Sequence, residues 1–290
     1  MRYSAFIFCS ALLSLGTTHA ASIECASCEA WNKDQAPFQI FGNTYYVGTR
    51  GLGAVLITSP QGHVLIDGGL PQSAPLIAKH IAQAGFKVTD IKIILNSHAH
   101  YDHAGGIAEL QKLSGAKVLA SDAATKALKT GKAEPSDPQF SVLLPFPPVS
   151  RVQSLDDDKT VTLGPIALNV IHTPGHAPGG TSWTWQSCEA TRCLDIVYGD
   201  SLNAVSDDSF KYSGDKRYPN ARAELSRSLA AVAGARCDIL ITVHAELSKL
   251  WSVFDENGVG KREELVDPAS CSRYADTAKV RFQKRLDSEK

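Results

Sequence analysis

A chain of 290 residues, 43% hydrophobic and 20% charged, is long enough to bury a sizeable core as one large domain or two modest ones. Its net charge of −1 and lack of any long run of like charge argue against non-specific binding to nucleic acid or an anionic membrane surface.

Residues 1–20 read as a secretory leader. Arg2 supplies the positive start, residues 5–15 a short apolar stretch, and Thr18-His19-Ala20 small residues at the cleavage positions. The apolar stretch is shorter than the roughly 20 residues a membrane span requires. The expectation is an exported, periplasmic domain over residues 21–290, a monomer by default. Of seven cysteines Cys9 lies in the leader, leaving six, which suits an oxidising compartment. The favoured pairs are Cys188–Cys193 and Cys237–Cys271, with Cys25–Cys28 by elimination. The close CxxC-like spacings also allow zinc thiolates, but the histidines form a better metal set.

Residues 38–46 and 54–58 read as strands, followed by a Ser59-Pro60-Gln61-Gly62 turn and a strand at 63–66. Residues 73–84 have helical periodicity, with Leu76, Ile77, His80 and Ile81 on one side. A buried strand at 91–95 runs into Asn96-Ser97-His98, and a helix at 107–113 stops at Ser114-Gly115. The proline-marked stretch 134–149 is expected to be a surface loop. Strands then follow at 161–163, 166–171, 181–186 and 194–198, the last two bracketing a Cys188–Cys193 loop. A helix at 221–233, a strand at 238–243 and a terminal helix at 272–286 complete the chain. Strands followed by helices, twice over, imply an α/β sandwich of two similar halves, with functional residues where strands end.

The segment His98-Ala99-His100-Tyr101-Asp102-His103 carries the chemistry. On an extended strand end His98 and His100 share a face and can reach one ion. A turn into the next helix is needed to aim Asp102 and His103 inward, and Gly105-Gly106 is expected to give the backbone that freedom. His176, in Thr173-Pro174-Gly175-His176, and His244 occupy comparable strand ends. Imidazole and carboxylate are donors that zinc accepts, and six of them make two sets of three with positions left open. His63, His80 and His172 are read as structural histidines.

These residues, with Leu65-Ile66-Asp67-Gly68-Gly69 before them, resemble the metallo-β-lactamase superfamily over roughly residues 35–288. The finer resemblance is to the third subclass of class B β-lactamases. It rests on Tyr45-Tyr46-Val47-Gly48-Thr49, on the segment from Pro178 to Trp185, on Asp200-Ser201-Leu202 and on Ala204-Val205-Ser206. It implies a four-layer αβ/βα sandwich and zinc-dependent hydrolysis of penicillins, cephalosporins and carbapenems, and hence antibiotic resistance. It places His98, His100 and His176 on one Zn2+ and Asp102, His103 and His244 on a second, with His98, Asp102 and His103 also catalytic. It makes Asp67 a residue that orients the ligands and puts Ser201 where other β-lactamases use a cysteine ligand. A cationic two-zinc cleft attracts the substrate carboxylate, for which Ser201 and Asn203 are the candidate contacts.

This chain departs from the subclass pattern at Asn203, at Ala245 and at Arg50, near which relatives often carry an N-terminal disulfide partner. No Gly-x-Ser-x-Gly elbow or Ser-x-x-Lys arrangement supplies a protein nucleophile. The alternatives are a lactonase or glyoxalase II-like thioesterase, for which Asp200 would bridge two metals, and a non-catalytic metal-binding protein.

Overall fold

The computed structural model describes residues 22–155 and 160–290; the expected leader lies outside the described residues. Twelve strands form two sheets among them. The first runs in chain order: β1 (Phe38–Phe41), β2 (Thr44–Tyr46), β3 (Val55–Ile57), β4 (His63–Ile66), β5 (Ile91–Leu95), β6 (Lys117–Ala120) and β7 (Val152–Ser154). The second comprises β8 (Val161–Leu163), β9 (Ile166–His172), β10 (Thr181–Glu189), β11 (Arg192–Gly199) and β12 (Ile239–Thr242). Each starts as antiparallel hairpins and ends with parallel pairing, from β4 to β7 in the first and between β11 and β12 in the second.

Among the described residues eight α-helices connect and cover the strands: α1 (Cys28–Trp31), α2 (Ala74–Gln83), α3 (Tyr101–Ala104), α4 (Ile107–Ser114), α5 (Asp122–Thr130), α6 (Ala221–Ala233), α7 (Leu250–Val253) and α8 (Ser270–Ser288). Strand alternation explains the layers. Val64, Ile66, Ile93 and Leu95 pack between the sheets against Trp183, Ile196 and Ile241. Leu65 and Ile94 point the other way, onto Ile77 and Ile81 of α2 and Leu110 of α4. Val197 and Leu240 likewise meet Leu225 of α6 and Phe282 of α8. The result is the expected helix–sheet–sheet–helix sandwich. β4 and most of β5 are buried on both faces, which is why they read as unbroken apolar runs.

The stretch 38–46 is not one strand but a hairpin. Gly42, at φ 52°, turns the chain back with Asn43, and a Cβ there would stand 2.5 Å from Ser187 Oγ. The Cys188–Cys193 loop is also tighter than expected. β10 and β11 continue to Glu189 and Arg192, so the two cysteines face each other across the ladder. Strands β6 and β7 and helix α5 have no counterpart in the sequence reading. The sulfurs pair as Cys25–Cys28, Cys188–Cys193 and Cys237–Cys271, at S–S distances of 2.16, 2.04 and 2.08 Å.

Candidate metal centre

The ends of β4, β5, β9, β11 and β12 meet at one edge of the sandwich. Beyond β5 the chain runs irregularly, with a bend at Ser97, to His100, whose extended φ/ψ of −92°/155° leads directly into α3. That single turn of helix carries Asp102 and His103. The donor atoms of His98, His100 and His176 lie within 4.8 Å of one another, as do those of His98, Asp102 and His103. His244 joins the second group, its Nε2 3.5 Å from Asp102 Oδ2 and its ring 4.9 Å from that of His103. All six expected ligands therefore converge, with His98 common to both clusters.

Gly105 and Gly106 serve a purpose different from the expected one. Their φ values of −57° and −84° are open to any residue. The constraint is contact: a Cβ on Gly106 would stand 2.2 Å from Gly68 O, and one on Gly105 2.4 Å from Pro71 Cδ. The unusual backbone lies opposite, at Asp67 with φ 62°. The Asp67 carboxylate accepts hydrogen bonds from Ser97 N (2.8 Å), Asn96 Nδ2 (3.1 Å), Ser97 Oγ (2.6 Å) and Tyr198 OH (2.9 Å). It thus pins the residues just before His98 to both sheets.

Three histidines have one ring nitrogen fixed from behind. His98 Nδ1 donates to Asp200 Oδ1 (2.7 Å), His100 Nε2 to Asp137 Oδ2 (2.9 Å) and His176 Nδ1 to the Asn203 carbonyl (2.9 Å). This network sets the tautomers and leaves the opposite nitrogens bearing lone pairs. Among the described residues His98 Nε2 and His103 Nδ1 are buried without a hydrogen-bond partner, and His103 Nε2 has only its ion-pair contact with Asp102 Oδ2 at 3.3 Å. Buried polar atoms are ordinarily satisfied, so a cluster of orphaned imidazole nitrogens beside one carboxylate fits a metal cation. The residues present suit such a group.

The electrostatics agree. Burial, reinforced by neighbouring imidazoles, lowers the pKa of His98 well below the usual range, that of His176 to about 3 and that of His244 to about 4. These rings are neutral donors. Burial also opposes charge on His103 and on Asp102, yet their mutual attraction wins: His103 is raised and Asp102 held well below the carboxylate range. Burial lifts Asp67 and Asp200 to about 6.

Asp200 stands behind the cluster: Oδ1 takes His98 Nδ1 and Oδ2 takes Thr173 Oγ1 at 3.2 Å. It belongs to neither donor group. Ser201 Oγ is buried without a partner. Asn203 contributes its backbone carbonyl to His176. Near Arg50 the N-terminal segment is fastened by hydrogen bonds, Gly51 N to Trp31 O at 3.2 Å and Thr49 Oγ1 to Trp31 O at 2.6 Å. His80 is held between Val47 O and Asp34, His63 lies edge-on to Phe86, and His172 sits in β9; none joins the cluster.

Three neighbours of the site went unread in the sequence. Asp137 holds His100, and Gln139 Nε2 lies 3.4 Å from His176 Nε2; both sit on the 134–149 loop. Trp31 packs its indole 5.3 Å from the His244 ring. A lone Asp, Gln or Trp distant in sequence gives no local signal of such a contact.

The family model described as the metallo-beta-lactamase superfamily matches residues 53–244. The Rm3 metallo-beta-lactamase is 50% identical at a TM-score of 0.89, over 92% of this chain and 99% of that one. MEM-A1, a subclass B3 metallo-beta-lactamase from a soil metagenome library, is 51% identical at 0.86, over 89% and 98%. SMB-1, solved with mercaptoacetic acid, is 44% identical at 0.83, over 90% and 99%. The chain spans about half the length of the curated relatives it matches. One is a hydroxyacylglutathione hydrolase of Rhodopseudomonas palustris (strain BisB5), 26% identical over 155 residues, which are 53% of this chain and 51% of that protein. The chain belongs to the metallo-β-lactamase superfamily.

Proposed function

We propose that this protein is an exported β-lactamase of subclass B3 that opens the lactam amide of penicillins, cephalosporins and carbapenems and so confers antibiotic resistance. In this reading His98, His100 and His176 hold one Zn2+, and Asp102, His103 and His244 hold a second. The observation that carries it is the convergence of all six donors, in a chain about half identical to B3 enzymes along nearly its whole length. Zinc, when bound, polarises a carbonyl oxygen and lowers the pKa of water from 15.7 to about 7.

The chain's own residues supply the rest. Asp102, held as a carboxylate by His103, is placed to orient the attacking water. Asp200 and Asp137 keep the lone pairs of His98 and His100 aimed forward. Ser201 Oγ is buried and has no hydrogen-bond partner among the described residues, and it is the first candidate contact for the lactam carboxylate. Asn203, with its carbonyl on His176, is the second candidate contact.

The thioesterase alternative requires Asp200 to bridge two metals, and its two oxygens are engaged behind the cluster. Loss of lactam absorbance, followed with and without a chelator, tests the proposal. Turnover of a penicillin and a carbapenem should vanish with chelation and return with zinc. Zinc-loaded protein that leaves lactams intact but cleaves a hydroxyacylglutathione thioester would overturn it. Export is read from residues 1–20, and N-terminal sequencing of secreted protein should begin at Ala21.

A further inference from the structure

Away from the metal edge, a cavity of about 270 Å³ opens between the segment that follows His244 and the terminal helix. Its floor is apolar, with Leu240, Leu247 and Leu265. Three cations rim it: Lys249 from the segment, and Arg273 and Arg281 from α8, about two helical turns apart and both lining the cavity. One carboxylate, Asp267, serves both Lys249 (3.1 Å) and Arg273. Arg281 makes no hydrogen bond or ion pair among the described residues, and its charge acts on Tyr274 at the cavity wall. Glu246 also reaches Tyr274 electrostatically, and even with it counted, three cations exceed two carboxylates. The hydroxyls of Ser248 and Thr277 already donate to Ala245 O and Arg273 O, so the donors left here are the Arg281 guanidinium and those N–H groups of Lys249 and Arg273 that Asp267 does not take.

In a protein of net charge −1, such an excess in a concave site calls for an anion. We infer that this cavity binds a small tetrahedral oxyanion, phosphate or a phosphate monoester, clamped between Lys249 and the guanidinium groups of Arg273 and Arg281. Guanidinium groups match phosphate geometry, and the volume suits one such group with a short apolar stub. The site is distinct from the metal cleft but touches its support. Tyr274 OH donates to the Asp200 carbonyl at 2.8 Å, and Lys249 follows His244 by five residues. An occupant would therefore brace two segments that hold metal ligands.

The test is a titration of inorganic phosphate into zinc-loaded protein at constant ionic strength, followed by amide NMR. Amides of residues 248, 249, 273 and 277 should shift together with a Kd near 1 mM. Arg281→Glu, at an exposed position without partners, should keep the fold and weaken binding about tenfold or more. Phosphate drawn to the metals would shift residues near His176 and His244 equally in both proteins. Co-sedimentation with phosphatidic-acid vesicles separates sources: retention of wild type but not of Arg281→Glu identifies a lipid headgroup, and phosphate binding without retention identifies a free phosphate. No saturable shift at the cavity, or equal affinity in Arg281→Glu, overturns the inference.

Discussion

Asp137 accepts the Nε2 proton of His100 at 2.9 Å and, through its other oxygen, the backbone N–H of Gln139 at 2.8 Å. The loop that passes over the site is thereby joined to a metal-facing imidazole. Partners of this kind typically change metal affinity 10- to 100-fold when lost. Asp137→Ala should weaken zinc retention by about that factor, and Asp137→Asn, which keeps an acceptor, by less. Competition with a fluorescent chelator measures both; unchanged affinity in Asp137→Ala would remove the assigned role.

His103→Ala tests the second cluster. It should cut bound zinc from two ions to one and lower turnover at least about a hundredfold, with the His98, His100 and His176 set still loaded. Metal analysis together with lactam hydrolysis checks it. Wild-type turnover in that variant would show the ligand assignment to be wrong.

Gly106→Ala places a methyl group 2.2 Å from a backbone oxygen that cannot swing aside. It should cost about 1–3 kcal/mol in denaturant unfolding. Gly214→Ala, where a Cβ meets nothing within 4 Å, is the control and should be neutral or slightly stabilising.

Acid should weaken the tie between the start of α8 and the segment after His244 at Asp267, whose pKa the Arg273 guanidinium, with Lys249, lowers to about 2. The unfolded chain binds that proton near pH 3.9. The contribution is therefore complete above about pH 4 and fades as pH falls toward 2, and solvent screening limits it to about 1 kcal/mol. Asp267→Asn should flatten the stability curve in that window alone, as urea midpoints across pH will show.

The ligand set was legible because its chemistry is concentrated: four donors stand within six residues, and the other two follow strands with plain apolar runs. The glycines after His103 were legible as special but misread as flexible, since their true constraints, Pro71 against Gly105 and the Gly68 backbone against Gly106, are visible only in three dimensions. Residues 38–46 read as one strand because apolar residues continue on both sides of a two-residue turn. Helix α5 escaped because its buried face is built largely of Ala and Thr, with Leu128 its only large apolar side chain. Asp137 and Trp31 act across 37 and 213 residues of chain, beyond the reach of any periodicity.

Trp31 and His244 lie near opposite ends of the polypeptide yet share one wall of the cleft. A ribosome delivers the indole long before the imidazole exists. The Trp31–His244 contact therefore cannot form on a nascent or truncated chain that lacks residue 244, and the donor cluster is complete only once that residue has been made. A bulky group joined close to Trp31 would crowd the imidazole of His244.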